Sequence, residues 1–211
     1  MEIHAPKPPH SLKAFLLELL TITVGILIAL SLEGVVQWVH NRTLVHEAEA
    51  NLVTEVAENQ RELKTTLEAL NTTQKQLTHM LDLIHDLQVN RKKASALNLS
   101  INWTLAELHS TSWNTAASTG ALAHMSYPEV KGYTRIYDLQ QRFQDLQSRG
   151  FESAVAVYGV TALLSKDPGK ISDAQLDEAE RVTGTALAAA SGMRDVGRAL
   201  AADYAGLERH R

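Results

Sequence analysis

The sequence predicts an all-α protein: one N-terminal transmembrane helix followed by an up-and-down antiparallel helical bundle with long, coiled-coil-like helices. Three observations carry this. Residues 14–32 are nineteen positions whose only charge is Glu18. Apolar side chains then recur every seven residues at Val56, Leu63, Leu70, Leu77 and Ile84, the spacing of a coiled-coil or bundle seam. No proline occurs between Pro9 and Pro128, and strand-like alternation is absent, so helix is the default for the intervening chain.

Composition narrows the function classes. The 211 residues carry a formal net charge of −4, with lysines and arginines scattered instead of massed, which disfavours a nucleic-acid partner. The absence of cysteine excludes disulfides, thiolate zinc sites, iron–sulfur clusters and cysteine nucleophiles.

The chain divides by composition into a polar N-terminal segment, 1–13, an anchor helix, 14–39, and a helical extramembrane domain, 40–211. The nineteen-residue run would rise about 28 Å as a helix, against a bilayer hydrocarbon core of about 30 Å. Trp38 follows where an indole anchors at the membrane interface. A buried core helix and a cleaved signal peptide, with Ala29, Leu30 and Ser31 as its processing site, are the competing readings. Lys7 and Lys13 before the run, and only Arg42 shortly after it, place the N-terminus in the cytoplasm. Between residues 43 and 90 eight carboxylates face three basic residues, which suits the periplasmic side of a bacterial inner membrane.

Around the anchor helix, Glu18, Thr21, Gly25, Ala29 and Glu33 form a stripe of small and polar residues opposed by Leu, Ile and Val. In lipid such a stripe is where a second helix packs, and a carboxylate within a span ordinarily faces protein or water. A snorkelling Glu18 with incidental small neighbours, or a water-filled path lined by Glu18 and Thr21, are the alternatives.

The segment LELLTITVGILIALSLEGVVQWVHNR, residues 17–42, resembles the N-terminal anchor of a set of uncharacterised bacterial single-pass membrane proteins. The features shared are Glu18 opening the span, the GILIAL core, Trp38 and Arg42. A second block, WNTAASTGALAHMSYPEVKGYTRIYDLQ, is similar to one that recurs in the same set. The resemblance implies a membrane anchor with a helical extramembrane part and no activity.

Beyond the anchor, with Gly34 the one candidate breaker, the heptad helix has Leu67 and Leu81 between its main seam positions. A break is expected at residues 90–100, where Arg91, Lys92 and Lys93 cluster. A shorter helix is expected from about Ser112 to Met125. Ser126, Pro128 and Glu129 form a capping box that opens the next helix, with Ile136, Leu139, Phe143 and Leu146 on one face and the apolar run 154–164 after it. Pro168 and Gly169 mark a turn; Ser172 and Gln175 cap a last helix ending near Leu207, paired with its predecessor as a long hairpin.

A search for chemistry finds little. His79, Asp82 and Asp86 share a helical face, but opposite Leu77, Leu81 and Ile84, as a solvated surface would. His46 with Glu49 is one isolated H-x-x-E. Trp113 and His124, placed on one helical face with Ala117 and Gly120, and Tyr133 and Tyr137 after them, are the candidates for an aromatic pocket, although close packing of a small-faced helix is the better account of them. No nucleotide, hydrolase or metalloprotease motif is present. No catalytic residue, metal or cofactor is assigned. The function expected is a non-enzymatic, membrane-anchored interaction or scaffold protein that pairs with a second copy or another membrane protein. The alternatives are a homo-oligomeric channel lined by Glu18 and Thr21, and an extracytoplasmic ligand sensor acting through a partner.

Overall fold

The computed structural model describes residues 11–90, 101–167 and 170–209. Four α-helices account for most of them: α1 (Leu12–Val89), α2 (Thr111–Ser118), α3 (Tyr127–Leu164) and α4 (Asp173–Arg209), with a 3-10 turn at Ala121–His124. The described residues contain no strand, so the protein is all-α. The chain falls into two compact units, Met1–Glu47 and Ala48–Arg211. Composition alone sets the expected boundary earlier, at residue 39, because hydropathy ends there. The first fully buried side chain is Leu52.

Within the first unit α1 is exposed all round as far as residue 40, including Leu16, Leu20, Ile22, Ile26, Leu30 and Val36. Among the described helices only α1 is long and apolar enough to cross a membrane. Its best 18-residue stretch has mean hydropathy 2.4, and none of that stretch is buried within the protein.

In the second unit α1 carries the predicted seam: Val56, Leu63, Leu70, Leu77 and Ile84 are all buried. The second seam differs from expectation. Leu67 and Leu81 are only half-buried, and the buried line is Leu52, Asn59, Thr66, Thr73, Met80 and Leu87, again one residue every seven. Its central half is polar, for a reason given below.

Chain direction follows from the contacts. Gln88 reaches Asp177 and Glu180, Thr183 meets Met80, and Gln74 meets Ser191, so α4 runs antiparallel to α1. Arg135 pairs with Asp203 at 2.8 Å, so α3 and α4 form the expected antiparallel hairpin. Two glycines let these helices approach closely. A Cβ on Gly150 would lie 2.7 Å from Met193 Sδ and 2.8 Å from the Trp103 ring, and one on Gly197 would lie 2.8 Å from Leu67 and 3.0 Å from Phe143.

By contrast α1 and α3 run parallel, with Glu55 beside Tyr137 and Asn59 beside Gln140. A parallel pair needs a return leg, and residues 101–110 supply it without forming a helix. Thr73 bonds Asn102, and Asn59 bonds His109. Fourteen helical residues of α1, about 21 Å, are therefore matched by seven residues of the return leg, about 3 Å each, which is extended backbone. Proline-free sequence is thus not helical throughout, because this segment packs against a polar seam that offers its backbone better partners than a lone helix would.

The caps behave as predicted. Ser126 N–H and its hydroxyl both donate to Glu129, at 3.2 and 2.6 Å. Ser172 N–H donates to Gln175 Oε1 at 2.9 Å, and Gln175 N–H donates back to Ser172 Oγ at 3.3 Å. The expected helix from Ser112 to Met125 is shorter. Thr119 N–H and Gly120 N–H close onto Thr115 and Ala117 carbonyls, and Gly120 takes φ 80°, a left-handed stop that glycine adopts without strain. Helix α1 ends at Val89, where the break was expected. Arg91, Lys92, Lys93, Pro168 and Gly169 lie outside the described residues.

Candidate functional site

Two regions hold the residues that the sequence singled out. On the exposed apolar part of α1, Glu18, Thr21, Gly25, Ala29 and Glu33 lie on the surface, and a Cβ on Gly25 would meet nothing within 4 Å. Three hydroxyls on this part return to their own helix: Thr21 to Leu17 O at 2.9 Å, Thr23 to Leu19 O at 2.8 Å and Ser31 to Leu27 O at 2.7 Å. Each of these three hydroxyls is satisfied without water, as an apolar environment requires. The Arg42 guanidinium lies over Trp38, 5.4 Å from the ring centroid.

The second region is the polar seam. Glu55 is 6% exposed and receives Tyr137 OH at 2.7 Å on one oxygen and Ser112 N–H at 2.8 Å on the other. Ser112 is in the first turn of α2, where Ser110 makes no side-chain cap, so Glu55 supplies from α1 the acceptor and the negative charge that a helix start favours. Trp113 stacks on Tyr137, centroids 5.2 Å apart. Tyr133 is buried one turn earlier on α3. His124 is exposed on the 3-10 turn. Because Gly120 ends α2, Trp113 and His124 do not share one helical face.

Side-chain amides then hold the extended leg by its backbone. Asn59 accepts from His109 N–H at 2.8 Å and donates to His109 O at 2.6 Å. Gln147 treats Ala106 the same way, at 2.8 and 2.9 Å. Gln140 and Gln144 donate to the carbonyls of His109 and Leu108 at 2.9 and 2.8 Å, and Thr73 donates to Asn102 O at 2.6 Å. Tyr204 OH donates to Gln140 Oε1 at 2.7 Å, tying α4 into the network. These amides replace the ladder partners of an isolated extended segment, whose buried N–H and C=O groups would otherwise be costly. Among the described residues two buried polar atoms, Thr66 Oγ1 and Trp103 Nε1, have no hydrogen-bond partner.

Burial, reinforced by the bond to Glu55, holds the Tyr137 phenol well above its usual range, and burial does the same to Tyr204. Both phenols stay protonated at neutral pH and act as donors, not bases. Among the described residues no three His, Asp or Glu side chains converge as a metal site would need, and His79, Asp82 and Asp86 are exposed.

Reasoning from the sequence missed Glu55, Asn59, Gln140, Gln144 and Gln147. A signal was available: polar residues at 59, 66 and 73 keep the heptad register of Leu52 and Met80, and Gln140, Gln144 and Gln147 share one face of α3 at helical spacing. Comparison with protein-family models, with curated proteins and with solved structures finds no match.

Proposed function

We propose that this chain is a membrane-anchored interaction protein: the N-terminal part of α1 spans a bacterial inner membrane, N-terminus in the cytoplasm, and the bundle serves as a periplasmic scaffold. Helices associate along Glu18, Thr21, Gly25, Ala29 and Glu33, with a second copy as the partner. The observation that carries the reading is a fully exposed apolar helix whose hydroxyls bond to their own backbone. In water such a surface is a liability; in lipid it needs no cover. A pore lined by Glu18 and Thr21 would require those side chains to face water.

Three measurements test the proposal. The full chain is expected to stay in the membrane pellet after alkaline extraction with its N-terminal peptide retained; a soluble form beginning near Leu32 would overturn the anchor. In a native-membrane association assay, Gly25→Leu is expected to weaken pairing by pushing the backbones apart, whereas Ile26→Leu, about 100° around the helix, leaves it intact. Equal association of both variants and the parent would remove the stripe as an interface. Water-soluble thiol reagents that label cysteines placed at 18 and 21 would favour the pore instead.

A further inference from the structure

Outside both regions, α1 and α4 enclose a surface groove of about 560 Å³ whose ionisable lining is four cations, Arg61, Lys64, Arg194 and Arg198, and one carboxylate, Glu68. That imbalance sits on a chain of net charge −4. The antiparallel register, fixed where Leu67 meets Gly197, orders the cations along the groove as Arg61, Lys64, Arg198, Arg194.

One of them is held in place. Arg194 is half-buried and donates to Gln74 Oε1 at 2.8 Å, while Gln74, itself 7% exposed, donates to Ser191 Oγ at 3.0 Å. Arg194 also touches Asp195 at 3.3 Å, and Arg61 spends its Nε on the Ala57 carbonyl at 3.1 Å. Among the described residues no carboxylate pairs with Arg61, Lys64 or Arg198. Between the cations Leu67 and Ala201 add apolar lining. A concave site with one sign of charge concentrates counter-ions, and guanidinium groups match tetrahedral oxyanions with paired N–H donors.

We infer that the α1–α4 groove binds a phosphate group carried on an apolar body, the phosphate between Lys64 and Arg198 and the apolar part over Leu67 and Ala201. The ligand is a free phosphate ester or the headgroup of an anionic lipid. This site is separate from the association stripe and stands whether or not helices pair there.

The test uses the full chain in phosphatidylcholine nanodiscs, titrated with 1-naphthyl phosphate and, as the control lacking the charge, 1-naphthol. The expected result is saturable binding of the phosphate, displaced by inorganic phosphate and weakened about tenfold or more in Lys64→Gln/Arg198→Gln. Both side chains are exposed, so the melting temperature should not move. Glu68→Gln provides an independent arm, since removing the one carboxylate should tighten binding. Nanodiscs containing phosphatidic acid separate the sources: loss of naphthyl phosphate binding there identifies the lipid, and unchanged binding identifies a free ester. The inference is overturned by no binding in phosphatidylcholine nanodiscs, by equal affinity for naphthol, or by an unaffected double variant.

Discussion

Single amide side chains decide whether the return leg stays in place. Asn59 is 1% exposed and bonds both backbone groups of His109, so Asn59→Leu would leave the His109 N–H without its acceptor, while the carbonyl keeps the Gln140 amide, and would free Gln140 from one partner. One orphaned donor costs about 1–3 kcal/mol, so a loss of about 2 kcal/mol is expected in denaturant unfolding. A loss under about 0.5 kcal/mol would mean that the leg is not held by this bond. Gly150→Ala should act by crowding: its methyl would press on Met193 and the Trp103 ring, at a cost of about 1–3 kcal/mol. Gly25→Ala, with open space around it, should leave the stability of the bundle unchanged. The same denaturant titrations read all three variants.

At the scale of elements, what was legible was whatever local chemistry determines. The heptad of leucines, the two capping boxes and the stop at Val89 depend on neighbours within a turn or two, and each was readable from residue spacing. Residues 101–110 were not, because their conformation is set by partners 30 to 50 positions away in sequence, such as Asn59 for His109 and Gln147 for Ala106. Glu55 counted as one more carboxylate of an acidic stalk, yet it is buried because α2 and Tyr137 supply its donors. Gly120 shortened α2 by about two turns, which separated Trp113 from His124 and removed the shared face on which the aromatic pocket depended. The polar heptad positions Asn59 and Thr73 therefore mark an element that binds backbone instead of another helix. Converting them should expose the difference: Thr73→Val removes the donor to Asn102 O and should accelerate amide exchange across residues 101–105 more than within α4.

Alkaline pH offers a reading of the whole bundle through its buried phenols. Tyr204 is fully buried, joined to Gln140, and its proton is held more tightly in the folded than in the unfolded chain, where a phenol titrates at about 10. Its folded value is raised, so its contribution is complete below about pH 10. Above that value the unfolded chain releases the proton while the folded chain keeps it, and stability falls by about 1.4 kcal/mol per pH unit for this one group. Tyr137 behaves in the same sense, since burial and the Glu55 carboxylate both oppose its ionisation. Tyr204→Phe should lose about 1 kcal/mol at pH 8 for the missing bond, but it should also lose less on going to pH 11 than the parent does. The two curves of stability against pH are therefore expected to converge between pH 10 and 11 and then cross. Denaturant titrations of both proteins at pH 8, 10 and 11 measure this. Parallel curves would show that Tyr204 ionises as readily in the folded chain as in the unfolded one, and that the network joining α1, α3 and α4 opens to solvent before the bundle unfolds.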